Sequence, residues 1–326
     1  MIGWHNARWK ILQHTNGHKI GIIHTTKGNI PQMDYVARGM TRREFMARAA
    51  VGAASLAIGG CANLPCCGQT KFKLAMAGYT LNSFSVDDAL DFCAAHGFAY
   101  LCVKDFHLPY DASPAKIAEF RRKCADRGVT PYGVGPISIY SADEAKRRFD
   151  YAASLGVPLM VGIPGKKTGP NWKDCHSDRA LCEVCSRLAD EYGIRFAIHN
   201  HGRNPKTGAP NLYPAVPETY DLIHDLSPRM GFCVDWAYTY ADGLDCREIV
   251  TKYASRIFDG HVRCLSDKGN GSAGINPAGR VFDYDYIFDA LRSIGYDGCL
   301  GLELANAFPD NPQWIDESRD YFRGLM

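Results

Sequence analysis

One unit, written eight times, constrains this chain more than any other feature. From Lys73 onward, a short apolar run rich in β-branched and aromatic residues is followed by an amphipathic segment of helical spacing, and the pair recurs to the end. The apolar runs are LAMAGYTL (74–81), YLCVKDF (100–106), TPYGVGPIS (130–138), LMVGIP (159–164), RFAIHNH (195–201), MGFCVDWA (230–237), IFDGHVRCL (257–265) and CLGLELA (299–305). The segments between them open on capping residues and close on glycine. Ser85 precedes Asp87 and Asp88 and the stretch stops at Gly97; Ser113 and Pro114 lead to Gly128; Ser141 leads to Gly156. Repeated strand–helix units make a parallel sheet, and eight of them across residues 73–326 predict a single-domain (β/α)8 TIM barrel. A doubly wound sheet is the alternative, but no G-x-G-x-x-G follows the first strand.

A barrel carries its chemistry where strands end and loops begin. Four of the predicted strands end on side chains that hold metals. RFAIHNH places His199 and His201 one residue apart, on one face of a strand. Asp235, His261 and Glu303 stand at the tips of the next three. Imidazole and carboxylate are the ligands a borderline divalent ion accepts, so the expected arrangement is four tips around one ion. Each residue has an ordinary alternative: an internal ion pair for Glu303, a turn cap for Asp235, a hydrogen-bonded interior histidine for His261. His199 and His201 compete, because one strand tip rarely supplies two ligands.

Other candidates surround this set. Lys104 follows Leu101-Cys102-Val103 and is expected to lose water, which lowers an amine's pKa toward acid–base use. His107 lies three residues further on. Asn200, His201, Arg263 and Trp172 are candidates for contacts with substrate hydroxyls or a sugar face.

With 46% hydrophobic residues the chain can bury a large core, and a net charge of +2 argues against nucleic acid as a partner. Thirteen cysteines, an odd and scattered set, do not form a disulfide framework. Cys102, Cys233 and Cys299 sit in apolar strand runs and read as small hydrophobes. The spacing of Cys182 and Cys185 on a helix is poor for zinc.

The first seventy residues differ in kind. Residues 1–39 show no periodicity and stay unassigned. Over 40–61, Arg42 and Arg43 precede an apolar run too short to span a bilayer, which resembles a twin-arginine export signal. Ile58-Gly59-Gly60-Cys61 resembles a bacterial lipoprotein box, with Cys61 as the lipid-bearing residue. Residues 62–72 form a linker. The expectation is a protein that is exported, periplasmic or membrane-anchored.

The globular part as a whole resembles the sugar isomerase/epimerase superfamily of xylose isomerase-like TIM barrels. The matching pieces are AIHNHG (197–202), GFCVDWAY (231–238), DGHVR (259–263), and GRVFDYDYIFDALRSIGYDGCLGLELA, a long helix followed by GYDG and a strand ending in Glu303. The resemblance implies one divalent ion (Mn, Co, Mg, Zn or Fe) held by Glu, Asp, His and Glu at the tips of the fifth to eighth strands. Asp235, His261 and Glu303 match that pattern. His199 occupies the position of the first Glu, a departure that removes one of the two carboxylates which move protons in the epimerases. The implied chemistry is enolisation of a small carbohydrate, with Glu303, His107 and Lys104 as candidate bases. It ends in isomerisation or epimerisation, or alternatively in β-elimination by a 3-keto-glycoside lyase or hydratase. A sugar-binding lipoprotein without catalysis is the third possibility.

Overall fold

The structure is a computed structural model, and it describes residues 71–169, 175–204, 206–263, 284–304 and 313–326. The unassigned segment, the export signal, Cys61, most of the linker and Trp172 lie outside the described residues.

Nine strands appear in the described residues: β1 (Lys73–Ala77), β2 (Tyr100–Val103), β3 (Thr130–Ile139), β4 (Leu159–Lys167), β5 (Cys175–Ser177), β6 (Arg195–His199), β7 (Met230–Asp235), β8 (Ile257–Val262) and β9 (Cys299–Leu302). All but β5 pair in parallel, in the order β3-β2-β1-β9-β8-β7-β6-β4. A further parallel pairing of β3 with β4 closes the ring. The result is the expected eight-stranded barrel. The short β5 pairs antiparallel with the end of β4, where the sequence reads as a loop.

The helices begin where the capping residues predict. Ser85 accepts from Asp88 N ahead of α1 (Val86–Ala95), Ser113 from Lys116 N ahead of α2 (Pro114–Asp126), and Ser141 from Glu144 N ahead of α3 (Ala142–Leu155). Asp178 caps α4 (Arg179–Tyr192) in the same way. α5 (Val216–Ile223) follows β6, and α6 (Trp236–Ala241) and α7 (Cys246–Tyr253) follow β7. The last two helices, α8 (Asp285–Ser293) and α9 (Gln313–Gly324), flank β9.

Two differences from the sequence reading concern strand ends. The first apolar run stops as a strand at Ala77 and turns through a 3₁₀ segment, Gly78–Leu81. Trp236 and Ala237, read as strand, already belong to α6, because Asp235 ends β7 and also caps the helix by accepting from Tyr238 N. One carboxylate oxygen is thereby fixed, and the other is turned elsewhere.

Aromatic side chains fill the layer between sheet and helices. Phe149 stacks on Phe196, Phe288 on Phe322, and all four are fully buried. Burying one such ring contributes about 1.5–3 kcal/mol, so this shell stabilises the ring of strands against the polar groups gathered at one end of it. Inside the barrel the residues are smaller: Ala75, Cys102, Val161, Ala197, Cys233 and Cys299, with Tyr132 and Phe258 among them. The interior is packed at this level, and the charged and imidazole side chains gather above it.

Candidate metal centre

Strand register explains why four distant residues meet. Pairing sets Asp235 beside His261 and His261 beside Gly301, while His199 pairs with Cys233. Alternate residues of a strand face the same side, so Asp259 and His261 project together from β8, as do Cys233 and Asp235 from β7. Gly301 keeps that level open. A Cβ there would lie 3.3 Å from His261 Cδ2 and 3.3 Å from the Tyr132 hydroxyl.

One ligand atom each from His199, Asp235, His261 and Glu303 lies within 4.8 Å of the others, and all four residues are buried. His199 Nε2 is 2.9 Å from His261 Nδ1, which in turn is 3.3 Å from Glu303 Oε2. Among the described residues, Asp235 Oδ2, His199 Nδ1 and His261 Nε2 have no hydrogen-bond partner. Buried polar atoms are normally satisfied. Two imidazoles and two carboxylates with unspent polar atoms fit a borderline divalent ion, and this cluster can hold one.

The charges are arranged unequally. Burial, followed by the neighbouring His261 ring, holds His199 well below the usual imidazole range, so it is neutral with a lone pair to give. Burial also lowers His261, but the Glu303 carboxylate, joined by Asp259 and Asp235, more than reverses this and the net shift is upward. Burial opposes ionisation of Glu303 too, yet His261 and Arg263 outweigh it and hold the carboxyl low. Burial raises Asp235, with Arg263 working against it.

Arg263 is the counter-ion of the whole group. Its Nη2 lies 2.7 Å from Asp235 Oδ2, an ion pair that misses hydrogen-bond alignment, and its Nη1 lies 3.9 Å from Glu303 Oε2. The guanidinium covers the Tyr238 ring at 4.1 Å. A fully desolvated Arg between two carboxylates offsets a charge that burial alone would make costly.

Two residues brace the donors. Thr80 Oγ1 donates to Leu302 O at 3.0 Å and accepts from Leu304 N at 2.9 Å, fixing the backbone on both sides of Glu303. Asn200, read from sequence as a hydroxyl-binding group, is committed internally. Its Oδ1 accepts from Asp235 N at 2.8 Å, its Nδ2 donates to Thr239 Oγ1 at 3.4 Å, and it is buried. It holds Asp235 in place. Partners 35 residues apart leave no local signal.

His201 stands beside His199, ring centroids 4.7 Å apart, and burial lowers it to about 4. It does not belong to the cluster of four donors. Lys104 is half-buried and donates to Pro136 O at 2.6 Å; burial lowers its pKa, and Glu303 is among the charges acting on it. Gly78 lets the chain pass close to β2 here, since a Cβ would lie 2.3 Å from Cys102 O and 3.2 Å from Lys104 Cγ. His107 turns to the β1 side, its Nε2 3.2 Å from Leu81 O, and burial lowers its pKa as well.

Comparison with known proteins agrees with the fold. The family profile described as xylose isomerase-like TIM barrel matches residues 90–325. A xylose isomerase domain protein from Alicyclobacillus acidocaldarius superposes with a TM-score of 0.63 at 15% identity, covering 78% of this chain and 98% of that one. A D-allulose 3-epimerase from Methylomonas sp. gives 0.59 at 14% identity, covering 79% and 99%. A sugar phosphate isomerase/epimerase from Parabacteroides distasonis gives 0.55 at 16%, covering 80% and 98%. With a closed parallel barrel and a profile spanning most of it, the chain belongs to the xylose isomerase-like TIM barrel family.

Proposed function

We propose that this barrel is a metal-dependent carbohydrate enzyme that enolises a free sugar or keto-sugar, acting as an isomerase or epimerase. The observation that carries the reading is the convergence of His199, Asp235, His261 and Glu303 into one buried cluster at the ends of β6 to β9. Solved relatives in fold whose names include D-allulose 3-epimerase and sugar phosphate isomerase/epimerase support the carbohydrate class.

In this reading the four residues hold one divalent ion. When bound, such an ion supplies Lewis acidity to adjacent carbonyl and hydroxyl oxygens. Glu303, kept ionised by His261 and Arg263, takes the proton from the carbon beside the carbonyl. Arg263 faces the oxygen on which negative charge grows. Lys104, an amine whose proton is loosened by burial, returns a proton or gives one to a departing group. His107 stands by as its neighbour.

One departure favours a second reading. His199 takes the place of a carboxylate, so the pair of bases needed for two-face epimerisation is incomplete, while the β2 side adds an ammonium, Lys104, and an imidazole kept neutral by burial, His107. A 3-keto-glycoside lyase or hydratase, which removes one proton and expels a β-substituent, needs only that set. An export leader over 40–61 with a lipid on Cys61 would place either enzyme outside the cytoplasm and favour free sugars over sugar phosphates.

The deciding experiment incubates metal-loaded protein with 3-keto-glucosides and simple ketoses in D2O. Deuterium at the carbon next to the carbonyl supports enolisation, and release of the aglycone assigns the lyase. Binding of sugars with neither outcome would sink the enzyme and leave a sugar-binding protein.

A further inference from the structure

Below the carboxylates, the same two imidazoles belong to a second donor set. Register places Cys233 of β7 between His199 of β6 and Asp259 of β8, one inward-facing position beneath Asp235. The Cys233 Sγ, one ring nitrogen of His199 and one of His261 lie within 4.8 Å of one another, and all three residues are buried. Metal–nitrogen and metal–sulfur bonds run at about 2.0–2.1 and 2.3 Å, so one ion reaches all three after small side-chain shifts. His199 Nδ1 and His261 Nε2 are buried and without hydrogen bonds among the described residues, so no bond through those atoms resists a small turn of either ring. Neither Asp235 nor Glu303 belongs to this lower set.

We infer that the pocket has two coordination levels that share His199 and His261. The upper level, completed by Asp235 and Glu303, takes oxygen-seeking ions such as Mn2+. The lower level, completed by Cys233, takes thiophilic ions such as Zn2+ and Cd2+, because a thiolate prefers soft cations and a carboxylate hard ones. The inference rests on the metal-centre reading and adds a residue and a selectivity to it. Binding at the lower level breaks the Cys233 S–H bond and forms a sulfur–metal bond. The proton passes to Asp259 Oδ2, 3.7 Å from the sulfur and already its hydrogen-bond acceptor. Asp259 also accepts from the Tyr132 hydroxyl at 3.3 Å, which holds the acceptor in place. An ion at the lower level draws both imidazoles away from the carboxylates, so the two levels exclude each other.

The test is a Cd2+ titration of the full chain, read by ultraviolet sulfur-to-metal charge transfer and by competition with Mn2+. The expected result is a band that saturates at one equivalent as Mn2+ is displaced. It is absent in Cys233→Ala, which binds Cd2+ at least tenfold more weakly, and retained in Asp235→Asn. Displacement of Mn2+ by Cd2+ without a Cys233-dependent band overturns the lower level and leaves the upper one standing. Failure of both ions to bind overturns both. If either variant misfolds by circular dichroism, X-ray absorption at the cadmium edge of the unsubstituted protein decides. One sulfur with two imidazoles supports the inference; oxygen and nitrogen alone, or several sulfurs without imidazole, overturns it.

Discussion

His199 Nε2 stands 2.9 Å from His261 Nδ1, although 62 residues separate them in sequence. Two desolvated imidazoles at that distance cannot both carry a proton charge, and the protein resolves the conflict in favour of His261, which has Glu303 beside it. The pair is a neutral donor next to a displaceable proton.

His261→Gln should weaken divalent-ion binding by at least about tenfold, since even partners one step removed from a metal cost about 10–100-fold when lost. Calorimetry with Mn2+ measures it. Unchanged affinity in a folded variant would remove His261 from the ligand set.

Glu303→Gln keeps the shape of the side chain and removes its basicity. Deuterium incorporation into substrate, measured at saturating Mn2+, should fall about 10²–10⁴-fold, and affinity for the ion should fall as well. Exchange at the original rate would mean that Glu303 only pairs with Arg263 and His261.

Asn200→Ala strands the buried amide of Asp235, which now donates to Asn200 Oδ1. The expected loss is about 1–3 kcal/mol in urea unfolding. Ion affinity should drop with it, because Asp235 loses the bond that orients its backbone. A direct substrate contact would instead raise KM without altering stability.

Lys104→Met tests burial of the amine through pH. The fold holds this ammonium below its ordinary value of 10.5, so the protonated form destabilises the native state. Stability of the parent protein should therefore rise, relative to the variant, as pH climbs from the folded pKa to 10.5. Melting temperatures of both proteins across the alkaline range give the comparison. Parallel curves would place the ammonium in water.

The barrel was legible because its signals are local. Ser85, Ser113 and Ser141 announce helix starts through hydrogen bonds three residues long, and the apolar runs mark strands by composition. The donors at the tips of β6, β7 and β8, and Glu303 just past the end of β9, were legible for the same reason, as charged or imidazole groups breaking apolar runs. What escaped reading was relational. From sequence, capping by Asp235 stands as an alternative to a place in the donor cluster, whereas the residue caps α6 with one oxygen and joins the cluster as well, so α6 begins where a strand was expected. Asn200 resembles any loop amide until its partner 35 residues away is known. Cys233 is a small apolar residue by composition and a possible ligand only beside His199 and His261.

Thr80 ties the first turn of the barrel to the last strand, gripping the backbone on either side of Glu303. The fourth donor thus takes its place only once the two ends of the barrel sequence have found each other. An ion held by this cage would bind the finished ring and not looser forms, so adding it should raise the melting temperature with the logarithm of its free concentration once that exceeds Kd. Metal uptake then becomes a gauge of closure, readable without any substrate.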